Sequence, residues 1–297
     1  MRPAYMNLQT SGELELRVKE LNEFLKKCNL CPNKCNVNRL KREVGACGSS
    51  MNIKVSNYGA HFGEEECLVG SLGSGTIFFT NCVMKCVYCQ NYKISQYSHG
   101  QVVSEKKLSS IFLNLQNKGC HNINLVSPTQ YLPQIMNSLK MAVRKGLSIP
   151  IVYNTGGYDS IEAIKLLDNI IDIYLPDFKY SSNLLCEKYS DVKNYYDNFL
   201  VVLREMFLQV GDLVIEGVVK KGLLIRHLVL PNKINNTERI YKTIKHIAGS
   251  QASVNIMRQY HPSYKAISFD ELSRATNFQE YIDELSLARK VGLTNIL

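Results

Sequence analysis

Three cysteines fall within eight residues in Cys82-Val-Met-Lys-Cys86-Val-Tyr88-Cys89. Spacings of three and two intervening residues let a looping backbone aim three thiolates at one point. Three soft sulfur ligands suit an iron–sulfur cluster and leave one iron open to a non-protein ligand. The plainer alternatives are zinc with a distant fourth ligand, or three unrelated core cysteines. A second group, Cys28-Asn-Leu-Cys31-Pro-Asn-Lys-Cys35 followed by Cys47 in Gly-Ala-Cys-Gly, places four thiols in 20 residues. That is a complete ligand set for zinc or for an auxiliary iron–sulfur cluster, and a stretch this poor in regular pattern needs a staple to fold. Metal is therefore favoured over free thiols there, with the choice of metal open. Cys67, Cys120 and Cys186 are isolated and read as plain buried thiols.

The surrounding composition narrows the setting. A chain of 297 residues with 45% hydrophobic and 21% charged residues is globular, not disordered or fibrous. No apolar run approaches the roughly 18 residues of a membrane span, and Glu13 and Glu15 stand where a signal peptide would be apolar. A soluble, cytoplasmic protein is expected, in which clustered cysteines hold metal or do redox chemistry instead of forming disulfides. The net charge of +9 is spread along the chain with no basic block. Pairs such as Lys106-Lys107 and Lys220-Lys221 read as solvated surface, so no nucleic-acid partner is expected.

The elements that must position these groups have a clear rhythm. Leu14, Val18, Leu21 and Leu25 predict an amphipathic helix, and residues 28 to 75 read as loop-rich. From Thr76 onward six short apolar runs predict buried strands: Thr76 to Phe79, Asn122 to Val126, Ile149 to Tyr153, Ile171 to Tyr174, Leu223 to Leu230 and Val254 to Met257. Between them Leu108, Ile111, Phe112 and Leu115 mark a helix capped by Ser104, and Leu132, Ile135, Met136, Leu139 and Val143 mark another. Helices are also expected over Tyr195 to Val210 and around Ile240, Ile244 and Ile247. Alternating strands and helices require a parallel sheet, wound on both faces or closed partly into a barrel, with functional groups at the strand C-terminal ends. Polar clusters fall there: Asn81-Cys82, Ser127-Pro128-Thr129, Asn154-Thr155-Gly156-Gly157, Asp177-Phe178-Lys179 and Gln259-Tyr260-His261.

CxxxCxxC after a first strand, with an aromatic residue just before the last cysteine as Tyr88 is here, resembles the radical SAM superfamily. The segments Gly73 to Phe79, Cys89 to Gln96, Ile151 to Tyr158, Asp172 to Lys179 and Leu224 to Pro231 resemble its PflX-type group, similar to pyruvate formate-lyase activating enzyme. The resemblance covers roughly residues 28 to 295. It implies a 4Fe–4S cluster on Cys82, Cys86 and Cys89, whose open iron is chelated by S-adenosylmethionine, reductive cleavage to a 5′-deoxyadenosyl radical, and hydrogen abstraction from a substrate. Asp177 and Lys179 match the Asp-x-Lys that contacts the methionyl group. Arg226 matches the Arg that would hold the carboxylate by a forked hydrogen bond, and an unpartnered Arg inside an apolar run would be expensive. The alternative is a structural Asp177–Lys179 ion pair and a stray buried Arg226.

The chain departs from that family where Gly-Gly-Glu should receive the methionyl amino group. Ser127-Pro128-Thr129-Gln130 stands there instead, so Thr129 or a nearby carbonyl is expected to accept that bond. Asn154 and Gly156 resemble the loop after the third strand, where a plain tight turn is the other reading. His61 with Glu64, Glu65 and Glu66 reads as a solvated acidic loop, with a further metal or substrate contact as the alternative, His227 as a core histidine and His261 as a residue near the mouth.

The expected architecture is α/β: a partial (β/α)6 TIM-like barrel over residues 71–297, preceded over residues 1–70 by a helix and a cysteine-rich metal-binding module. The expected function is a radical SAM oxidoreductase, activase-like, acting on a protein or peptide and served by a reductant such as flavodoxin or ferredoxin. A small-molecule substrate, or a non-catalytic iron–sulfur or zinc module on nucleic acid, are the alternatives.

Overall fold

The computed structural model describes residues 1–297. Its strands are β1 (Ile53–His61), β2 (Ser74–Phe79), β3 (Gln101–Val103), β4 (Ile123–Val126), β5 (Ile151–Thr155), β6 (Ile173–Pro176), β7 (Val214–Glu216), β8 (Val218–Leu228), β9 (Ser253–Met257) and β10 (Asn295–Ile296). The helices are α1 (Tyr5–Ser11), α2 (Glu13–Glu23), α3 (Glu66–Val69), α4 (Tyr92–Ser95), α5 (Glu105–Asn117), α6 (Leu132–Val143), α7 (Ile161–Lys165), α8 (Asn183–Ser190), α9 (Tyr195–Val210), α10 (Thr237–Ala248) and α11 (Phe278–Val291).

The six expected strands are β2, β4, β5, β6, β8 and β9. They lie side by side in chain order and all pair in parallel. A doubly wound sheet would reverse direction at a switch point, whereas monotonic order is that of a barrel opened on one side. The strands are apolar because helices cover them: β5 and β6 are buried at every position. Most boundaries sit a residue or two from the apolar runs, as where Pro150 has no N–H for the ladder and β5 starts only at Ile151, whereas β8 begins five residues early, at Val218, where it pairs with β7. Ser104 caps α5 by accepting from the Lys107 N–H at 3.1 Å, and α9 spans the expected Tyr195–Val210.

Two expectations change. The expected N-terminal helix is α2, which ends at Glu23 before Leu25, and an additional helix, α1, precedes it across Gly12, whose φ of +81° is left-handed. The loop-rich stretch also contains β1, nine residues long, pairing antiparallel with β2 in a register that sets Tyr58 opposite Ile77. Only Ile53 and Val55 of that strand are buried. One face is solvated and a bulge interrupts it between Val55 and Asn57, so its sequence shows no apolar run. The first 70 residues do not build a core of their own. Tyr5, Leu14, Cys31 and Ile53 belong to the same apolar cluster as Tyr153, Ile225 and Ile256.

Candidate functional site

The loop after β2 leaves the strand through Asn81, whose φ of +64° turns the chain sharply. The Asn81 amide donates to Ser49 Oγ and Tyr131 Oη, each at 3.0 Å, which fixes the turn just before Cys82. Downstream, the Lys85 N–H donates to the Ser190 carbonyl at 2.9 Å and the Val87 N–H to the Tyr189 carbonyl at 2.8 Å, tying the loop to the end of α8. Each of the three cysteine sulfurs has a polar neighbour. Cys82 Sγ accepts from the Met84 N–H at 3.4 Å, Cys86 Sγ accepts from Ser190 Oγ at 2.9 Å, and Cys89 Sγ lies 3.2 Å from Ser95 Oγ. None is in a disulfide.

Such donors stabilise thiolates, while burial opposes them. Burial, with Cys86 next, pushes the Cys82 thiol up to about 12, and burial also raises Cys86. A cation among the three sulfurs would reverse that preference, so the donor set fits a soft metal cluster. Nowhere in the chain are three His, Cys, Asp or Glu side chains already closed into a ligand cage.

The three sulfurs open into a cavity of about 450 Å³ at the C-terminal ends of the parallel strands. Asn154, Gly156, Asp177, Lys179 and Arg226 line it as well. A somewhat larger groove, about 510 Å³, lies between α9 and α10 on the outer surface, and no expected site residue lines it. Lys179 Nζ donates to Asp177 Oδ2 at 2.7 Å. Burial alone would lower the Lys179 amine, but the Asp177 carboxylate and the Cys86 thiol outweigh it and raise it, so Lys179 stays charged. A Cβ on Gly156 would sit 2.9 Å from Met84 Sδ and 3.4 Å from Lys179 Cε. The glycine thus lets the loop after β5 approach the cysteine loop without pushing the Met84 side chain aside.

Tyr88, expected beside the cofactor, lines the cavity, while its hydroxyl donates to Tyr180 Oη at 2.7 Å and its ring packs edge-on against Tyr260, which braces the loop. His227 is a core residue, its Nδ1 2.8 Å from the Phe178 carbonyl. His261 stays on the exposed rim beside Gln90.

Three expectations are corrected. Thr129 is buried and donates to Asp159 Oδ1 at 2.7 Å, outside the cavity; Ser127, at φ +54°, lines it instead. Two of the three acidic residues are not solvated, for the Glu64 and Glu65 side chains are only 9% and 7% exposed. Arg226 is not a stray cation with a free fork: its Nε and Nη2 grip the two Glu65 oxygens at 2.8 and 2.6 Å, Nη2 also reaches Glu64, and Asn255 donates to Glu65 at 2.7 Å. Arg226 and Glu64 line one wall of the cavity, with Glu65 holding the guanidinium from behind. His61 and Glu64 line it too, from the block whose alternative reading was a metal or substrate contact, whereas Ser127, Met257 and Gln259 are lining residues that carried no signal beyond lying near strand ends.

The sequence profile of the radical SAM superfamily matches residues 76–207, from β2 through most of α9. The uncharacterized protein MJ0674 of Methanocaldococcus jannaschii is 34% identical over 293 residues, covering 94% of this chain and 79% of the relative. Among solved structures, SuiB of Streptococcus suis bound to the precursor peptide SuiA aligns with a TM-score of 0.50 at 11% identity, covering 72% of this chain and 46% of that one. HydG, a maturase of the FeFe-hydrogenase, aligns at 0.49 and 14% identity, covering 71% and 47%. This chain spans about half the length of each of those two proteins. With the CxxxCxxC loop at the mouth of an open six-stranded barrel, the chain belongs to the radical SAM superfamily, whose members work with a 4Fe–4S cluster and S-adenosylmethionine.

Proposed function

We propose that this chain is an activase-like radical SAM oxidoreductase of the PflX type, abstracting a hydrogen atom from a protein or peptide substrate and reduced by a flavodoxin or ferredoxin. When bound, the cluster supplies one electron to the sulfonium of S-adenosylmethionine, giving methionine and a 5′-deoxyadenosyl radical. The observation that carries the reading is the convergence of Cys82, Cys86 and Cys89 with the Asp177–Lys179 pair on one cavity.

Cys82, Cys86 and Cys89 would hold three irons. Asp177 and Lys179, one of each sign, would face the zwitterionic methionyl group. The backbone around Asn154 and Gly156 would lie against the nucleoside, and the apolar wall of Phe79, Met84 and Leu228 would keep water out. With its fork held by Glu65, Arg226 is assigned to building the cavity wall and not to gripping the methionyl carboxylate. A barrel of six parallel strands leaves one side open, where a chain end or loop could enter. SuiB, of comparable fold, was crystallised with a precursor peptide, which favours the peptide class without identifying it.

The test is anaerobic reconstitution with iron and sulfide, dithionite reduction with S-adenosylmethionine, and quantification of 5′-deoxyadenosine. Wild type should form it and Cys86→Ala should fall to the reagent background. A fully loaded wild-type cluster that neither binds nor cleaves S-adenosylmethionine would remove the proposal.

A further inference from the structure

Residues 28–37 fold back on themselves. The Cys28 N–H donates to the Val37 carbonyl at 3.0 Å, the Asn36 N–H to the Cys28 carbonyl at 2.9 Å and the Lys34 N–H to the Cys31 carbonyl at 3.0 Å. A second tight turn, closed by the Gly48 N–H on the Gly45 carbonyl at 2.9 Å, carries Cys47. The two turns meet at Gly45. A Cβ there would lie 3.1 Å from Cys35 Sγ, 3.7 Å from Cys47 Sγ and 3.5 Å from Arg39 Nη2.

Arg39 is the unexplained residue of this region. It is 1% exposed, yet no carboxylate pairs with it. Its Nη1 donates to the Gln130 carbonyl, its Nη2 lies 3.6 Å from Cys47 Sγ, and its Nε has no partner. A guanidinium buried this way needs a negative charge beside it. The only groups placed to supply one are the cysteines, and thiols become anions most readily when a cation holds them.

We propose that Cys28, Cys31, Cys35 and Cys47 bind one zinc ion as a tetrathiolate, with Arg39 as its buried counter-ion. Zinc with four thiolates carries net negative charge, which the guanidinium offsets while capping Cys47. The four sulfurs fill every position of a tetrahedral ion and none of them lines the cavity, so the ion is structural and has no open site for chemistry. Its turns also touch the catalytic loop. Asn33 Nδ2 donates to the Val83 carbonyl at 3.4 Å, Asn81 Nδ2 to the Gly48 carbonyl at 3.3 Å, and Gln130 Nε2 to the Asn81 carbonyl at 3.2 Å. This assignment does not depend on the radical chemistry proposed above.

The full chain carrying Cys82→Ala, Cys86→Ala and Cys89→Ala, expressed with zinc and iron both present, isolates the second site. Elemental analysis should find about one zinc per chain and no sulfide. Adding Cys35→Ala or Cys47→Ser should abolish it. Arg39→Met should weaken zinc by about 10- to 100-fold in chelator competition, as loss of an outer-sphere partner does, and Arg39→Lys should restore part of that. Circular dichroism of the Arg39 variants keeps misfolding apart from lost affinity. Iron with sulfide in place of zinc overturns the ion, no metal overturns the site, and unchanged affinity in a folded Arg39→Met variant overturns the counter-ion.

Discussion

Lys179 and Asp177 share one hydrogen bond at 2.7 Å, and both side chains are mostly covered. A ligand group and a purely structural ion pair make opposite demands on them. If they face the methionyl group, Lys179→Met and Asp177→Asn should each weaken S-adenosylmethionine binding by about 10- to 100-fold, the worth of one charge-assisted bond, while iron content stays at the wild-type level. Calorimetric titration of the oxidised, reconstituted protein reads this, and unchanged affinity with lowered stability would return the pair to a structural role. Arg226 is different. Its fork is filled by Glu65, so Arg226→Leu leaves two carboxylates buried without a cation and should cost about 3–5 kcal/mol in denaturant unfolding. Glu65→Gln should cost less, because Glu64 still faces the guanidinium. The cysteines were legible in the sequence because their chemistry is written in local spacing. The partners of Arg226 were not, since they lie some 160 residues away along the chain. Thr129 failed for a subtler reason: in the turn after β4 the left-handed conformation at Ser127 decides which hydroxyl meets the cavity.

At the level of elements, legibility followed burial. The parallel strands, covered by helices, announced themselves as apolar runs, whereas β1, solvated on one face and broken by a bulge, did not. The helix α11 shows what end chemistry contributes. Asn277 accepts from the Glu280 N–H at 2.8 Å while Glu280 accepts from the Asn277 N–H at 2.9 Å, and Glu280 also accepts from the Asn232 N–H at 2.7 Å. The Arg274 guanidinium, paired at 2.7 Å, is the largest influence in holding the Glu280 carboxyl down to about 2. A carboxyl depressed on folding contributes stability that is present above its unfolded value near 4.5 and lost as pH falls toward 2. Wild type should therefore lose stability relative to Glu280→Gln across that window, and the two unfolding curves should approach each other at its acid end. A constant gap between them from pH 6 to pH 2 would place the benefit of Glu280 in packing and not in its charge.

For the whole molecule the question is whether the first 70 residues and the barrel are one unit or two. Composition marks a boundary, since a cysteine-rich stretch gives way to regular strand and helix patterns. Packing does not respect it. Tyr5 is fully buried with its hydroxyl donating to the Ile149 carbonyl at 2.8 Å, and the Ala4 N–H donates to the buried Asp172 at 3.3 Å. Leu14, Val18 and Leu21 of α2 are buried, β1 adds to the edge of the barrel sheet, and one apolar cluster runs from these residues through Tyr153 to Ile256. Elements that share a core and a sheet have no surface at which to separate, so local opening of one exposes the other. Calorimetry of the full chain should show one transition, with calorimetric and van't Hoff enthalpies in agreement. Tyr5→Ala, which removes a filled position in that shared core and an anchor to Ile149, should lower the whole transition by about 3–5 kcal/mol without splitting it. Two resolved transitions, with Tyr5→Ala moving only the earlier one, would instead make the cysteine-rich segment a module that folds on its own.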